Sequence, residues 1–378
     1  MNLKTIKSLI TRNVINIPGW HTKRKIVVIE SDDWGSIRMP SKMVFNALQK
    51  KGFSVDQSDF NRLDSLESND DMIALYEVLY NYKDIYNNHP IFTANSVVAN
   101  PDFNKIKNSG FSNYYYEHVK ETLKQYPRHD KVFDLWQEGK NNNIFYPQFH
   151  GREHLNITRW LSDLKKGSDD IMFCFNHNTT FSGNCDYSYM EAYDIDNNND
   201  IKKHISTITD GLKIFEMTFG YPSRSFIAPC YTWSPEIEQI LFQYGIKYIQ
   251  GNYIQLVPNG GFNNYKYKFH FTGQKNSLMQ RYLIRNCVFE PALNKKIDSV
   301  DYAINSIATS FRWNKPAIIS SHRINYIGYI VEKNRTDNLV LLNSLLTNIL
   351  KIWPDVEFIS SDALGDLIAY GKITKAYA

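Results

Sequence analysis

The chain has 378 residues, 43% hydrophobic and 14% aromatic, enough apolar material to bury a sizeable core. Its 43 basic residues stand against 39 acidic ones, and the resulting +4 charge at pH 7 is scattered, which argues against a nucleic-acid partner. No stretch reaches the roughly 20 apolar residues of a membrane span, and Cys174, Cys185, Cys230 and Cys287 lack the spacing of a disulfide framework or zinc ribbon.

The opening MNLKTIKSLITRNVINIPGW has neither an unbroken apolar run nor a small-residue cleavage site. Residues 1–24 therefore read as an amphipathic lead-in, and the protein as cytoplasmic. From residue 25 to 378 the pattern is that of one domain in which strands and helices alternate. The run IVVIESDDWGSIR, residues 26–38, is an apolar strand that stops at Asp32 and Asp33. SKMVFNALQKKG reads as a helix closed by Gly52, and NDDMIALYEVLYNYKDIY as a longer helix with Asn69 as candidate cap. PIFTANSVV is a strand, VFDLWQEGK a helical piece and IFYPQF a strand. Ile157, Trp160, Leu161 and Leu164 recur at helical spacing.

Residues 176–200, rich in Asn, Asp and Tyr, break the rhythm and read as a long loop insertion. The alternation then resumes through helices ending at Gly220 and Gly245 and strands SFIAP and KYIQG. YLIRNCVFEP and PAIISSH are further strands, separated by the helix VDYAINSIATSF, and a helix, strand and helix close the chain. Short buried-type strands alternating with helices predict parallel β/α units, and seven or eight of them predict a barrel rather than an open sheet.

The C-terminal strand ends are where such a barrel carries its active site. Asp32 and Asp33 follow the first strand, and His150 and His154 lie in FYPQFHGREHLN. Pro229, Cys230, Tyr231 and Trp233 follow SFIAP, and His322 ends PAIISSH. Each alone fits an ordinary cap, turn or hydrogen-bonded pair; their coincidence at strand ends points to chemistry. Two imidazoles sharing one ion hold nitrogens about 2.0–2.1 Å from it, whereas positions i and i+4 of a strand lie roughly 13 Å apart. A helical turn at Gly151, with Asn156 capping the helix that follows, would bring the two histidines together. A carboxylate from another strand would complete a three-ligand site. His150, Glu153 and His154 also fit the inverted zinc-peptidase pattern, but that pattern needs a helix where this chain has a strand-like run and Gly151.

In motif order, from about residue 25 to 368, these features resemble the polysaccharide deacetylase (NodB-homology) family. The resemblance implies a distorted (β/α)7-type barrel of mostly parallel strands with loop insertions, and metal-dependent removal of N- or O-linked acetyl groups from a carbohydrate. By that likeness Asp32 is the general base and His322 the second catalytic group. Asp33, His150 and His154 hold one divalent metal, Zn²⁺ first, with Co, Ni, Mn or Fe also admissible. Pro229 and Tyr231 line an acetyl pocket. Trp34, Tyr231 and Trp233 offer flat faces to sugar rings. The chain departs from the family in having Gly151 after the first histidine, Trp34 after the aspartates, Cys230 between proline and tyrosine, and Ile227 where an arginine would orient Asp32. Arg38, Arg285 and Arg323 are the candidates to replace that arginine. The competing expectations are a catalytically silent barrel that binds glycans or a partner, and a glycosidase using Asp32 with another carboxylate, whose activity would survive a chelator.

Overall fold

A computed structural model describes residues 10–373 apart from 186 and 294. The sheet is built around β1 (Lys25–Trp34), which is buried from Ile26 onward and so reads as a near-continuous apolar run ending in polar residues. The strands that follow are β2 (Phe92–Ser96), β3 (Phe145–Phe149), β4 (Ser225–Ile227), β5 (Tyr248–Gly251) and β6 (Arg281–Ile284). Next come β7 (Cys287–Val288), β8 (Ala317–His322) and β9 (Val356–Phe358). All pair in parallel, in the spatial order β6-β5-β4-β3-β2-β1-β8-β7, with β9 on the first residues of β1. Consecutive strands are thus neighbours, and the winding is that of a (β/α) barrel whose ladder does not close, because β6 and β7 do not pair.

YLIRNCVFEP, expected as one strand, is divided at this opening. Arg285 N–H donates to the Gly251 carbonyl on the β5 side at 2.9 Å, and Asn286 N–H donates to the Ile318 carbonyl on the β8 side at 3.1 Å. Two residues of covalent chain therefore span the gap in the sheet.

Side-chain alternation along β1 explains what lies inside. Val27 and Ile29 pack outward with Leu75, Leu342 and Leu346 of the surrounding helices. Ile26 and Val28 face the interior, which the helix Ser361–Tyr370 plugs with Leu364 and Leu367. Glu30 and Asp32 continue that inward row.

The helix Asn69–Tyr80 starts at the expected cap itself, and Ser68, one residue earlier, caps it. Ser68 accepts from the Asp71 N–H and the Asp71 side chain accepts from the Ser68 N–H, a reciprocal capping box. Asn69 instead donates to Asp130. Ser68→Ala is expected to lower stability by about 1 kcal/mol, read as a shift in denaturant midpoint at unchanged slope. The chain also forms elements the sequence reading left out: the hairpin Ile254–Pro258 with Tyr265–Phe269, and the helix Asp169–Asn176. Among the described residues no helix is long and apolar enough to cross a membrane.

Candidate active site

The two aspartates that end β1 diverge. Pairing with β2 slips between Ser31 and Trp34, and Asp33 adopts a left-handed backbone with φ 76°. That conformation costs a non-glycine residue roughly 1–2 kcal/mol and clusters at functional sites. It keeps Asp32 in the inward row while Asp33 turns toward β3. The adjacency that looked repulsive in sequence is relieved by this break in alternation.

Asp33 Oδ1 lies 3.3 Å from Nε2 of His150 and 3.3 Å from Nε2 of His154, and all three residues are buried. Their ligand atoms fall within 4.8 Å of one another. The histidines converge without the expected helical turn: residues 150–156 form a bend in which Gly151 has φ 121°. A Cβ there would stand 2.9 Å from the Tyr193 hydroxyl, so space as well as backbone angle selects glycine. The expected cap does form, since Asn156 Oδ1 accepts from Arg159 N–H at 3.2 Å. His150 Nδ1 donates to the Ile227 carbonyl at 3.0 Å, which aims Nε2 at Asp33. Burial is the largest influence on His154 and, only partly offset by Asp33, holds its pKa near 3, so the ring is neutral. A carboxylate and two imidazoles whose ligand atoms converge at this separation fit a divalent ion.

Asp32 meets a different partner. Arg285, at the opening between β6 and β7, donates through Nη2 to Oδ1 at 2.6 Å and through Nη1 to Oδ2 at 2.7 Å. The same guanidinium donates to Glu30 at 2.6 Å and to the Tyr231 hydroxyl at 3.0 Å, while Asn95 adds a bond to Asp32 Oδ1 at 2.8 Å. Burial would raise the Asp32 pKa, but the charge and hydrogen bonds of Arg285 outweigh it and hold the carboxyl near 2. Of the three candidate arginines, Arg285 is the one that grips Asp32. Arg323 is buried against Asp64 and Glu67, and Arg38 lies beside Asp64 and over the Phe60 ring.

His322 stands in register with Asp32 on β8, its Nε2 3.7 Å from Asp32 Oδ2. Its Nδ1 contacts Glu290 at 2.6 Å, and Asn325 fixes the other Glu290 oxygen at 2.6 Å. Burial works against the imidazolium, but Glu290, then Asp32 and Asp33, raise the His322 pKa well above its ordinary value. Sequence reasoning missed Glu290; its position just past the strand-like run NCVF was the available signal. These groups open onto a cavity of about 500 Å³, walled by Phe60, Cys230, Tyr231 and the segments Thr179–Ser182 and Ser188–Met190. The stretch expected as a loop insertion thus forms one side of the site.

The family profile described as Glycosyl hydrolase family 57 matches residues 115–310, just over half of the chain. The chain belongs to glycosyl hydrolase family 57. No curated protein matches this family 57 chain by sequence. Among solved structures it is similar to a 4-alpha-glucanotransferase from Thermococcus litoralis, at 10% identity and TM-score 0.45, covering 89% of this chain and 39% of that one. It is also similar to a GH57-type branching enzyme from Pyrococcus horikoshii, at 10% identity and TM-score 0.45, covering 93% and 71%. A peptidoglycan deacetylase from Bacillus subtilis follows at 10% identity and TM-score 0.33, covering 92% and 93%. At these TM-scores the likenesses carry no argument about the reaction.

Membership in family 57 overturns the resemblance to polysaccharide deacetylases, and with it the acetyl-removing activity and the acetylated substrate. The resemblance rested on a handful of residues at strand ends, a layout that follows from the barrel; the profile match extends from residue 115 to 310 and takes in His150, His154, Tyr231, Arg285 and Glu290. The preference for zinc falls too, since oxygen and nitrogen donors without thiolate suit several divalent ions. Two expected sugar platforms are core residues: Trp34 is buried with its indole N–H on Ser31, and Trp233 is buried with its indole N–H on Glu238. Pro229 is buried at the start of a short 3-10 turn, leaving Cys230 and Tyr231 on the cavity wall. Glu153 turns away from the histidines into an ion pair with Arg152, which removes the base that a peptidase reading needs.

Proposed function

We propose that this family 57 chain cleaves or transfers a glycosidic bond in the cavity at the C-terminal strand ends, with Asp32 as nucleophile and His322 as acid and base. The observation that carries the reading is the pairing, across one strand step, of a carboxylate clamped by Arg285 with an imidazole clamped by Glu290. Glycosidic cleavage asks for one group that stays ionised and one that carries a proton, in environments that push their pKa values apart. His322 Nε2 protonates the leaving oxygen, and Asp32 Oδ2 attacks the anomeric carbon. The second carboxylate, Glu290, acts through His322. With Asp32 as nucleophile, cleavage passes through a covalent glycosyl-enzyme and leaves the product with retained configuration.

A divalent ion held by Asp33, His150 and His154 would supply Lewis-acid attraction for sugar hydroxyls beside this pair. Asp33 and the two histidines have ligand atoms within 4.8 Å of one another, and the Ile227 carbonyl holds the His150 ring. Metal analysis of the purified protein is expected to find one divalent ion per chain, lost in His150→Ala together with His154→Ala. Protein prepared with each divalent ion in turn that never retains one would remove the ion from the reading.

A panel of aryl glycosides in both anomeric configurations tests the reaction itself. The expected result is release from at least one of them, with retained configuration in the product, and loss of release in Asp32→Asn. A panel left intact by the wild-type chain, or undiminished release in Asp32→Asn, would overturn the reading.

The proton donor predicts a pH profile. Because the His322 pKa is raised, the ring stays protonated through neutral pH and the rate falls on the alkaline side as it titrates. Glu290→Gln removes the largest group that raises it, so the alkaline limb of kcat/KM is expected to move to lower pH; an unmoved limb would separate Glu290 from the donor.

A further inference from the structure

Behind Tyr231, on the side away from Asp33, lies a second cavity of about 410 Å³. Tyr231 lines both cavities, and Arg285, which grips Asp32 from within the barrel, also lines this one. The partition is a built feature. Cys230 and Tyr231 are consecutive non-glycine residues with left-handed backbone, φ 54° and 56°. The Tyr231 hydroxyl accepts from Arg285, whose guanidinium carbon lies 5.8 Å from the ring centre. A chain of sugar units with its cleaved bond at Asp32 would pass the edge of Tyr231 and enter the second cavity.

The lining says what would be read there. Tyr253 and Tyr302 supply rings of the kind that cover a sugar face, and Asn252 supplies an amide. Among the described residues that line the cavity none is Asp or Glu. Arg12 lies over the Tyr302 ring at 4.5 Å and makes no ion pair with a described residue. Arg285 is already matched by Glu30 and Asp32, so among the described residues Arg12 is the unmatched cation of this wall. A guanidinium carried over an aromatic ring can still offer its N–H groups to an oxyanion.

We propose that the cavity behind Tyr231 is a second carbohydrate subsite, which takes a sugar bearing an anionic group and reads that group with Arg12. The inference deepens the glycosidic reading above and rests on it for the identity of the ligand as a sugar. The shared chemistry is the oxyanion, whether a uronate carboxylate or a phosphate ester.

Binding of D-glucuronate, glucose 6-phosphate and glucose to the full chain, followed by ligand-observed NMR at low ionic strength, tests it without any turnover. The wild-type chain is expected to bind one or both anions at least tenfold more tightly than glucose, a margin that shrinks with added salt. Arg12→Gln is expected to abolish the margin, Arg12→Lys to keep part of it, and Tyr302→Ala to weaken all three sugars about tenfold. Which anion leads separates carboxylate from phosphate. Equal affinity of the wild-type chain for anions and glucose, or a margin unchanged in Arg12→Gln, would overturn the subsite. Anion preference in a chain that cleaves no glycoside would instead fault the reaction and leave the subsite standing.

Discussion

Asp32→Ala is expected to lower kcat/KM on a cleaved glycoside by roughly 10³–10⁵, about 4–7 kcal/mol of transition-state stabilisation at 1.36 kcal/mol per decade. The reason is the loss of covalent chemistry: without the carboxylate no glycosyl-enzyme forms, and the barrier reverts to direct displacement. Two measurements tie the loss to that role. A 2-deoxy-2-fluoro glycoside with a good leaving group should add one glycosyl mass to the wild-type chain on the peptide that holds Asp32. Azide, which fits the space vacated by the carboxylate, should restore turnover in Asp32→Ala. The low pKa of Asp32 suits both halves of the cycle, because a carboxylate that stays ionised is also a good leaving group when the intermediate breaks. Labelling elsewhere in the chain, with Asp32 unmodified, would rule the role out.

Arg285→Met is expected to cost about 3–5 kcal/mol of stability in a denaturant titration, because it strips the partner from two buried carboxylates, Glu30 and Asp32. The pH dependence of stability carries a second signature. In the wild-type chain Asp32 has a folded pKa near 2, depressed from its ordinary value. Its contribution is therefore fully present above the ordinary carboxylate range and is lost as pH falls through about 2. With Arg285 gone, burial is the dominant influence and drives the Asp32 pKa upward. Acid unfolding of the variant should begin at a clearly higher pH, and the acid limb of any remaining activity should move the same way. A variant as acid-tolerant as the wild type would show that Arg285 is not what holds Asp32 ionised. Arg285→Lys, which restores charge without the two-pronged grip, is expected to recover part of the stability and less of the activity.

Much of this was legible in the residues. The alternation of buried strands and amphipathic helices announced a barrel of β/α units, and polar residues at strand ends marked Asp32, Asp33, His150, His154 and His322. What the sequence hid was pairing across distance. Arg285 sits in a strand-like run, and only the divided strand and the ladder left open beside it bring its guanidinium onto Asp32, about 250 residues earlier in the chain. Glu290 gave only its place just past a strand-like run, and its pairing with His322 was hidden for the same reason. Trp34 and Trp233 were misplaced because an indole at a strand end is equally suited to a sugar and to a core, and here neighbouring polar groups satisfy each indole N–H inside the protein. The reaction class was obscured most of all. Strand-end motifs report the barrel that carries them, and barrels of one layout host several chemistries.

The central position of β1 bears on how the protein comes into being. The strand that carries Asp32 is flanked by β2 and β8 and is also joined by β9. During synthesis, then, the first strand waits with one edge unpaired until the last strands appear. At about 5–20 residues per second the interval between Asp32 and His322 leaving the ribosome is roughly 15–60 seconds. Through that time an apolar strand tipped with two aspartates is open to the wrong neighbour, and the contacts it needs are among the most distant in the chain, a topology that folds slowly. Its acidic tip offers the like-charge repulsion that discourages pairing with a second nascent copy. The residues proposed to do chemistry would, for that minute, serve as the guard on an unfinished sheet.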